Sequence, residues 1–103
     1  MSNQTLGQKL RRLREDQGLL LRKVAAILDI DVAVLSKMER GERRLSKDAV
    51  LKLSKLYKAD ADELLTLYLT EKILGEIENE ELAIKALHLA EKQIKYQKLN
   101  LKT

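Results

Sequence analysis

Basic side chains are the residues of this 103-residue chain whose types and spacing could do chemistry. One precedes a short apolar-patterned segment near residue 22, and several follow the next such segment near residue 40. Guanidinium groups bind phosphate oxygens through a planar fork of donors. We therefore expect contacts to a phosphate-bearing polyanion from four arginines: Arg22, Arg40, Arg43 and Arg44.

Groups suited to catalysis or metal binding are scarce by comparison. The chain has no Cys and a single His, His88, which excludes a disulfide framework, a thiolate metal site and a site built from several histidines. It has no Gly-rich phosphate loop and no set of nucleophile and base. We expect no enzyme activity, no metal and no cofactor.

The charge is distributed unevenly along the chain. Residues 1–58 contain 14 Lys and Arg against 7 Asp and Glu, whereas residues 59–103 contain 6 Lys against 9 Asp and Glu. An ordinary solvated surface is the alternative explanation. The asymmetry favours an N-terminal part that faces a polyanion and a C-terminal part with another task.

The composition predicts an all-α fold. The chain lacks Pro, has only four Gly and is 3% aromatic, so few residues break helices and the core must be aliphatic. No apolar run approaches the 18 residues that a membrane span requires, and no segment resembles a signal peptide. A soluble cytoplasmic protein is expected.

Apolar periodicity and capping residues define the elements that must position the basic side chains. Thr5 with Gln8 fits a capping box, Asp31 and Ser46 fit N-caps, and Asn79 is the expected cap of the last helix. The six predicted helices cover roughly residues 5–17, 21–28, 32–40, 47–57, 60–75 and 80–98. Their predicted inward residues include Val24, Ala25, Leu28, Leu35, Met38, Val50, Leu53, Leu64 and one of Leu56 or Tyr57.

The second and third predicted helices are short and joined by a tight turn, which is the build of a helix-turn-helix DNA reader. Residues 6–65 resemble the Cro/CI-type (Xre-family) helix-turn-helix domain, a compact five-helix, lambda repressor-like fold. The matching positions are Leu6-Gly7, Leu13-Arg14, Gly18-Leu19, Val24-Ala25, Ile30, Leu35-Ser36-Lys37-Met38-Glu39-Arg40-Gly41, Leu53, Leu56, Leu64 and Leu65.

This resemblance implies that the third helix reads bases in the major groove through four positions: Val32, Ala33, Ser36 and Lys37. Their chemistry is unusually apolar for that role. Val32 and Ala33 suit thymine methyl groups, Ser36 discriminates weakly, and Lys37 can reach guanine or a phosphate. We expect DNA shape to supply part of the specificity.

The resemblance also implies a structural salt bridge between Arg14 and Glu39, tying the first helix to the end of the third. Several positions depart from the usual pattern. Asp29 stands where the turn usually has Gly, Leu21 replaces an amide that contacts the DNA backbone, and Leu45 replaces a Pro. Asp29 is a residue that tolerates a left-handed conformation.

The C-terminal third suggests association. We divide the chain into a DNA-binding domain over residues 1–69 and a helical extension over residues 70–103. In the extension the apolar surface of the predicted helix is wider than the narrow a/d stripe of a coiled coil. Such a helix can pack within its own chain or on a second copy. We favour a homodimer interface formed by Leu82, Ala83, Leu87, Ala90 and Ile94.

The sequence thus predicts a regulator of transcription that binds specific double-stranded DNA as a dimer. A phage-type repressor and a restriction–modification controller share this format. The alternative is the antitoxin of a toxin–antitoxin pair, which would bind a partner protein as well as its own operator.

Overall fold

The computed structural model describes residues 4–101, with the side chains of residues 4–99. Within that range the chain is all-helical and has a helix-turn-helix at its centre, as the composition and periodicity predict. The six helices are α1 (Leu6–Asp16), α2 (Leu21–Leu28), α3 (Val32–Glu39), α4 (Lys47–Leu56), α5 (Ala61–Ile77) and α6 (Ala83–Leu101).

Side chains cap the N-termini of three helices as predicted. The Thr5 hydroxyl oxygen accepts a hydrogen bond from the Gln8 amide at 3.1 Å, and the Gln8 Oε1 accepts one from the Thr5 amide at 3.0 Å. Asp31 accepts from the Ala33 amide at 2.8 Å, and Ser46 accepts from the Ala49 amide at 3.1 Å. These caps satisfy amides that have no partner inside the helix, and so fix where each helix begins.

The helices α1 to α4 end in the same way. Each is followed by a residue whose backbone is in the left-handed conformation, and the chain changes direction there. At each end the next amide bonds back to a carbonyl one turn earlier, as in a Schellman motif. Asp29 has φ 57° in this position, which confirms the left-handed turn expected there. The four left-handed residues are Gly18, Asp29, Gly41 and Lys58.

The core lies among α1 to α5 and is aliphatic apart from one tyrosine. Of the two candidates at the end of α4, Tyr57 is the buried residue, with 2% of its surface exposed, while Leu56 is half-buried. Leu45, which replaces the usual proline, is also buried. The core residues are Leu6, Leu10, Val24, Ala25, Leu28, Leu35, Met38, Leu45, Val50, Leu53, Tyr57 and Leu64.

Gly7 brings α1 against the end of α3. A Cβ at this position would lie 2.4 Å from the Met38 carbonyl oxygen and 2.7 Å from that of Glu39. Backbone atoms cannot move aside as a flexible side chain can, so only glycine fits. A carboxylate oxygen of Glu71 accepts from the Leu6 amide at 2.9 Å, and so ties the start of α1 to α5.

Arg14 and Glu39 form a two-pronged ion pair between α1 and α3. Arg14 Nε and Nη2 donate to the two Glu39 carboxylate oxygens at 2.8 and 3.1 Å, and Nη1 donates to the Leu19 carbonyl at 2.9 Å. Both side chains are nearly buried. The hydrogen bonds to Glu39 raise the pKa of Arg14, so the guanidinium stays charged.

Tyr57 lies close to this ion pair, and the environment of its hydroxyl group is unusual. Its oxygen is buried and has no hydrogen-bond partner among the described residues. Burial, with the negative charge of Glu39 as the second cause, raises the pKa of Tyr57 to about 12. The tyrosine therefore remains a neutral phenol at physiological pH.

The chain divides into two compact units, one reaching Lys72 and the other beginning at Ile73, within α5. In the second unit α6 begins at Ala83, so the prediction that Asn79 caps it is wrong. Asn79 lies instead in a turn, where the Glu80 amide bonds to the Ile77 carbonyl at 2.9 Å and the Ala83 amide bonds to Glu80 at 3.2 Å. No helix in the described part of the chain is long and apolar enough to cross a membrane.

Candidate nucleic-acid interface

The solvent-facing side of α3 carries the four residues predicted to read bases. Leu35 and Met38 point into the core and so orient the helix. On the other side Val32 is 41% exposed, Ala33 and Lys37 are exposed, and Ser36 is half-buried. Positions i, i+1, i+4 and i+5 share one face of a helix, so the structure brings these four side chains together.

The joint between α2 and α3 sets the angle at which that face is presented. The two helices pack against each other, Ala25 of α2 is buried, and Asp29 with its left-handed backbone turns the chain sharply between them. The Ile30 amide bonds to the Ala25 carbonyl at 3.0 Å, which closes the turn. The short, tightly closed joint holds α3 in a fixed position on the core.

Three of the predicted phosphate-binding arginines lie free on the surface. Arg22 is exposed in the first turn of α2, and Arg43 and Arg44 are exposed in the loop between α3 and α4. Among the side chains of residues 4–99, theirs make no hydrogen bond and no ion pair, and neither does the ammonium group of Lys37. Their donors are therefore available to an anionic ligand.

Arg40, the fourth predicted arginine, is already engaged. Its Nε donates to a carboxylate oxygen of Glu42, and its Nη1 donates to the Ser36 hydroxyl at 2.7 Å. Sequence reasoning missed Glu42. The signal was present in Gly41, because a residue that follows a helix-ending glycine is turned back beside the last turn of that helix.

Two carboxylates border the same surface. Asp31 lies at the N-terminus of α3, where its Oδ1 accepts from the Ala33 amide, and Asp29 is exposed in the turn before it. Negative charge at a helix N-terminus stabilises the helix. It also opposes the approach of a phosphate, so any polyanion must be held mainly by the flanking cations.

The residues predicted to form a dimer lie on α6 or directly before it. Ala83 and Leu87 are half-buried, while Leu82, Ala90 and Ile94 are exposed. Further large apolar side chains in this unit are exposed as well: Ile73, Leu74, Ile84, Leu89, Tyr96 and Leu99. His88 is exposed, and no group of three or more metal-ligating side chains occurs among the described residues.

Comparison with protein families gives one match. A family described as a helix-turn-helix domain matches residues 5–67, which is more than half of the chain and covers α1 to α4 with the first part of α5. Neither the curated proteins nor the solved structures gave a match.

Proposed function

The chain belongs to the helix-turn-helix domain family, and on that premise we propose that it is a sequence-specific, dimeric transcriptional regulator of the Cro/CI type. It binds double-stranded DNA and regulates transcription through occupancy of its operator. A phage-type repressor and a restriction–modification controller both have this format.

The observation that carries the proposal is the surface around α3. Three small uncharged side chains and Lys37 form this face, and it is flanked by three arginines, Arg22, Arg43 and Arg44, whose side chains have no partner among the described residues. An α-helix fits the major groove of B-form DNA, and cations at its borders meet the two phosphate backbones. Helix-turn-helix domains dock in this manner.

Base contacts come from the exposed side of α3. Val32 and Ala33 offer methyl groups to thymine, and Lys37 offers an ammonium group to guanine O6 and N7. Direct readout by such a surface is modest, so the sequence-dependent shape of the operator contributes as well.

Phosphate contacts come from Arg22 at one end of the helix pair and from Arg43 and Arg44 at the other. These contacts position the protein and release counterions without specifying sequence. With three such contacts in each of two subunits, binding should weaken about a thousandfold between 50 and 200 mM salt.

Dimerisation is proposed through the second unit, which leaves large apolar side chains exposed along α6. No residue between Ile73 and Leu99 is buried, so the unit does not complete a core of its own. A second copy of the chain would cover this face. A dimer would then present two reading helices to half-sites about 34 Å apart.

Charge favours an antiparallel arrangement of the two α6 helices. The segment before α6 contains Glu76, Glu78, Glu80 and Glu81, whereas the C-terminal half of α6 contains Lys92, Lys95 and Lys98. Antiparallel pairing places the acidic segment of one copy beside the basic end of the other. A two-fold axis then makes the same contact twice.

Selection of bound sequences from random duplex DNA tests the reading surface. Lys37→Ala should change the enriched motif, whereas Arg43→Ala should weaken binding to all sequences alike. Arg12→Ala is a matched control, because Arg12 is exposed and lies outside the proposed contacts. An unchanged motif for Lys37→Ala together with Ser36→Ala would show that α3 is not the reader.

Sedimentation tests the dimer. Removal of residues 79–103 should yield a monomer that retains the helical signal of α1 to α5, and an unchanged dimer would place the interface elsewhere. The antitoxin alternative has its own outcome. In that case the full-length chain would remain monomeric alone and would bind the product of an adjacent gene through the same exposed face of α6.

A further inference from the structure

The end of α3 returns the chain to the reading surface. Gly41 has φ 78°, a left-handed conformation that suits glycine. Its amide bonds to the Met38 carbonyl at 3.1 Å, and the Glu42 amide bonds to the Lys37 carbonyl at 2.8 Å. These two bonds fix the backbone of Glu42 beside the last turn of α3.

From that position Glu42 reaches Arg40, and Arg40 reaches Ser36. The Arg40 guanidinium donates from Nε to a Glu42 carboxylate oxygen and from Nη1 to Ser36 Oγ at 2.7 Å. About half of each charged side chain is exposed. A chain of two hydrogen bonds through Arg40 thus connects the Glu42 carboxylate, outside the helix, to the Ser36 hydroxyl on the reading face.

The direction of these hydrogen bonds determines what the hydroxyl can offer. A serine hydroxyl has one donor and two acceptor positions, and the guanidinium has no acceptor to give in return. Arg40 therefore occupies an acceptor position of Ser36 and leaves its proton free to donate outward. The adjacent positive charge also disfavours a second donor group from a ligand.

We propose that Glu42 is a positioning residue for sequence recognition, which acts through Arg40 to make Ser36 a hydrogen-bond donor. The base that faces Ser36 must then present an acceptor in the major groove, as guanine, adenine and thymine do. Cytosine presents an amino donor there and is disfavoured. This inference rests on the proposed DNA-binding function.

A second consequence concerns Arg40 itself. The guanidinium of Arg40 is held between Glu42 and Ser36 and is not free to bind a phosphate. The side chains of Arg43 and Arg44, in the loop that follows, are free to do so. Arg40 therefore contributes to base preference more than to general affinity. This assignment differs from the phosphate contact expected for Arg40 on sequence grounds.

Selection from random duplex DNA with the full-length chain provides the test, using wild type, Ser36→Ala and Glu42→Gln. The position at which Ser36→Ala changes the motif identifies the base that faces Ser36. Wild type should disfavour cytosine there by about fivefold, the effect of one hydrogen bond. Glu42→Gln keeps the shape of the side chain but loses its charge, and should relax the preference at that one position.

Controls separate readout from simple charge. Glu15→Gln removes a similarly exposed carboxylate that pairs with an arginine on α1, and should leave the motif unchanged. The double variant Ser36→Ala/Glu42→Gln should relax the motif no further than Ser36→Ala alone. Thermal unfolding of each variant confirms that the domain is intact.

Three results would overturn the inference while leaving the DNA-binding proposal in place. One is a motif with cytosine preferred opposite Ser36. Another is a Glu42→Gln variant that binds every sequence more tightly with the same preferences, because Glu42 would then only repel phosphate. The third is additive loss in the double variant. If wild type enriched no sequence at all, the proposed function itself would fail.

Discussion

The residues up to Lys72 and those from Ile73 onward use their apolar side chains in opposite ways. In the first unit twelve apolar residues are buried around a common core. In the second unit most of the large apolar side chains are exposed, and none between Ile73 and Leu99 is buried. The first unit is thus stabilised from within, whereas the second has no buried core of its own among the described residues. Equivalent substitutions in the two units should have different effects, and four matched pairs test this.

Leucine truncation should give the largest difference. Leu53 is buried on α4, and Leu53→Ala should lower the free energy of unfolding by about 3–4 kcal/mol through lost burial and a cavity. Leu89 is exposed on α6, so Leu89→Ala should leave the stability of the monomer unchanged and weaken the proposed dimer. Urea denaturation at two protein concentrations separates these effects. If both variants lost the same free energy of unfolding at both protein concentrations, the two units would not differ in the way described.

Glycine-to-alanine substitution should differ in sign between the units. Gly7→Ala should lower the free energy of unfolding by about 3 kcal/mol, because the new Cβ meets the Met38 carbonyl oxygen at 2.4 Å. Gly75 is exposed within α5, where Ala is the better helix former, so Gly75→Ala should add up to about 1 kcal/mol. Thermal unfolding measures both, and a tolerated Gly7→Ala would disprove the close approach of α1 to α3.

Loss of a carboxylate charge should matter only in the first unit. Glu39→Gln leaves the nearly buried Arg14 charge without its counter-ion and should cost about 2 kcal/mol. Glu91 lies 4.0 Å from Lys95 on the surface of α6, and Glu91→Gln should change stability by less than about 0.5 kcal/mol. Chemical denaturation at neutral pH checks the pair. Similar small losses would mean that the Arg14–Glu39 pair is solvated.

Tyrosine-to-phenylalanine substitution should give the smallest effect at neutral pH. Tyr57→Phe removes a buried hydroxyl without a partner among the described residues, and should stabilise the domain by about 1 kcal/mol. Tyr96 is exposed, so Tyr96→Phe should have no effect on unfolding.

Alkaline pH should enlarge this difference. The folded-state pKa of Tyr57, about 12, lies above its unfolded value of 10, so the stability that comes from the neutral phenol is complete below pH 10. It is lost as the pH rises towards 12, by about 2 kcal/mol. Wild type should therefore lose that much more than Tyr57→Phe over this range. Parallel pH profiles for the two proteins would show that the phenol is solvated.

Local patterns explain why most of the fold was predictable from the sequence. The caps at Thr5, Asp31 and Ser46 act within three residues, and the buried stripes repeat at the helical period. Asp29 was recognisable as a turn residue because few other side chains tolerate its backbone conformation. The exposed positions of α3 followed once Leu35 and Met38 were assigned to the core.

Contacts that depend on the meeting of distant segments were not predictable in the same way. The hydrogen bond from the Leu6 amide to the Glu71 carboxylate joins residues that are 65 positions apart. The sequence around neither residue indicates this contact. The Arg40–Glu42 contact spans only two positions, but depends on the left-handed turn at Gly41. The start of α6 was misplaced because Asn79 has the chemistry of a cap, whereas the turn hydrogen bonds of Glu80 delay the helix to Ala83.

Asp29 and Lys58 end their helices in a left-handed backbone conformation, and such positions can be used to stabilise the domain by substitution. Glycine adopts this backbone conformation without steric penalty, so Lys58→Gly should raise the melting temperature by a few degrees, equivalent to about 1 kcal/mol. Lys58 lies between α4 and α5 and so belongs neither to α3 nor to the turn before it. Such a variant would offer a more robust scaffold on which to vary the proposed reading face of α3.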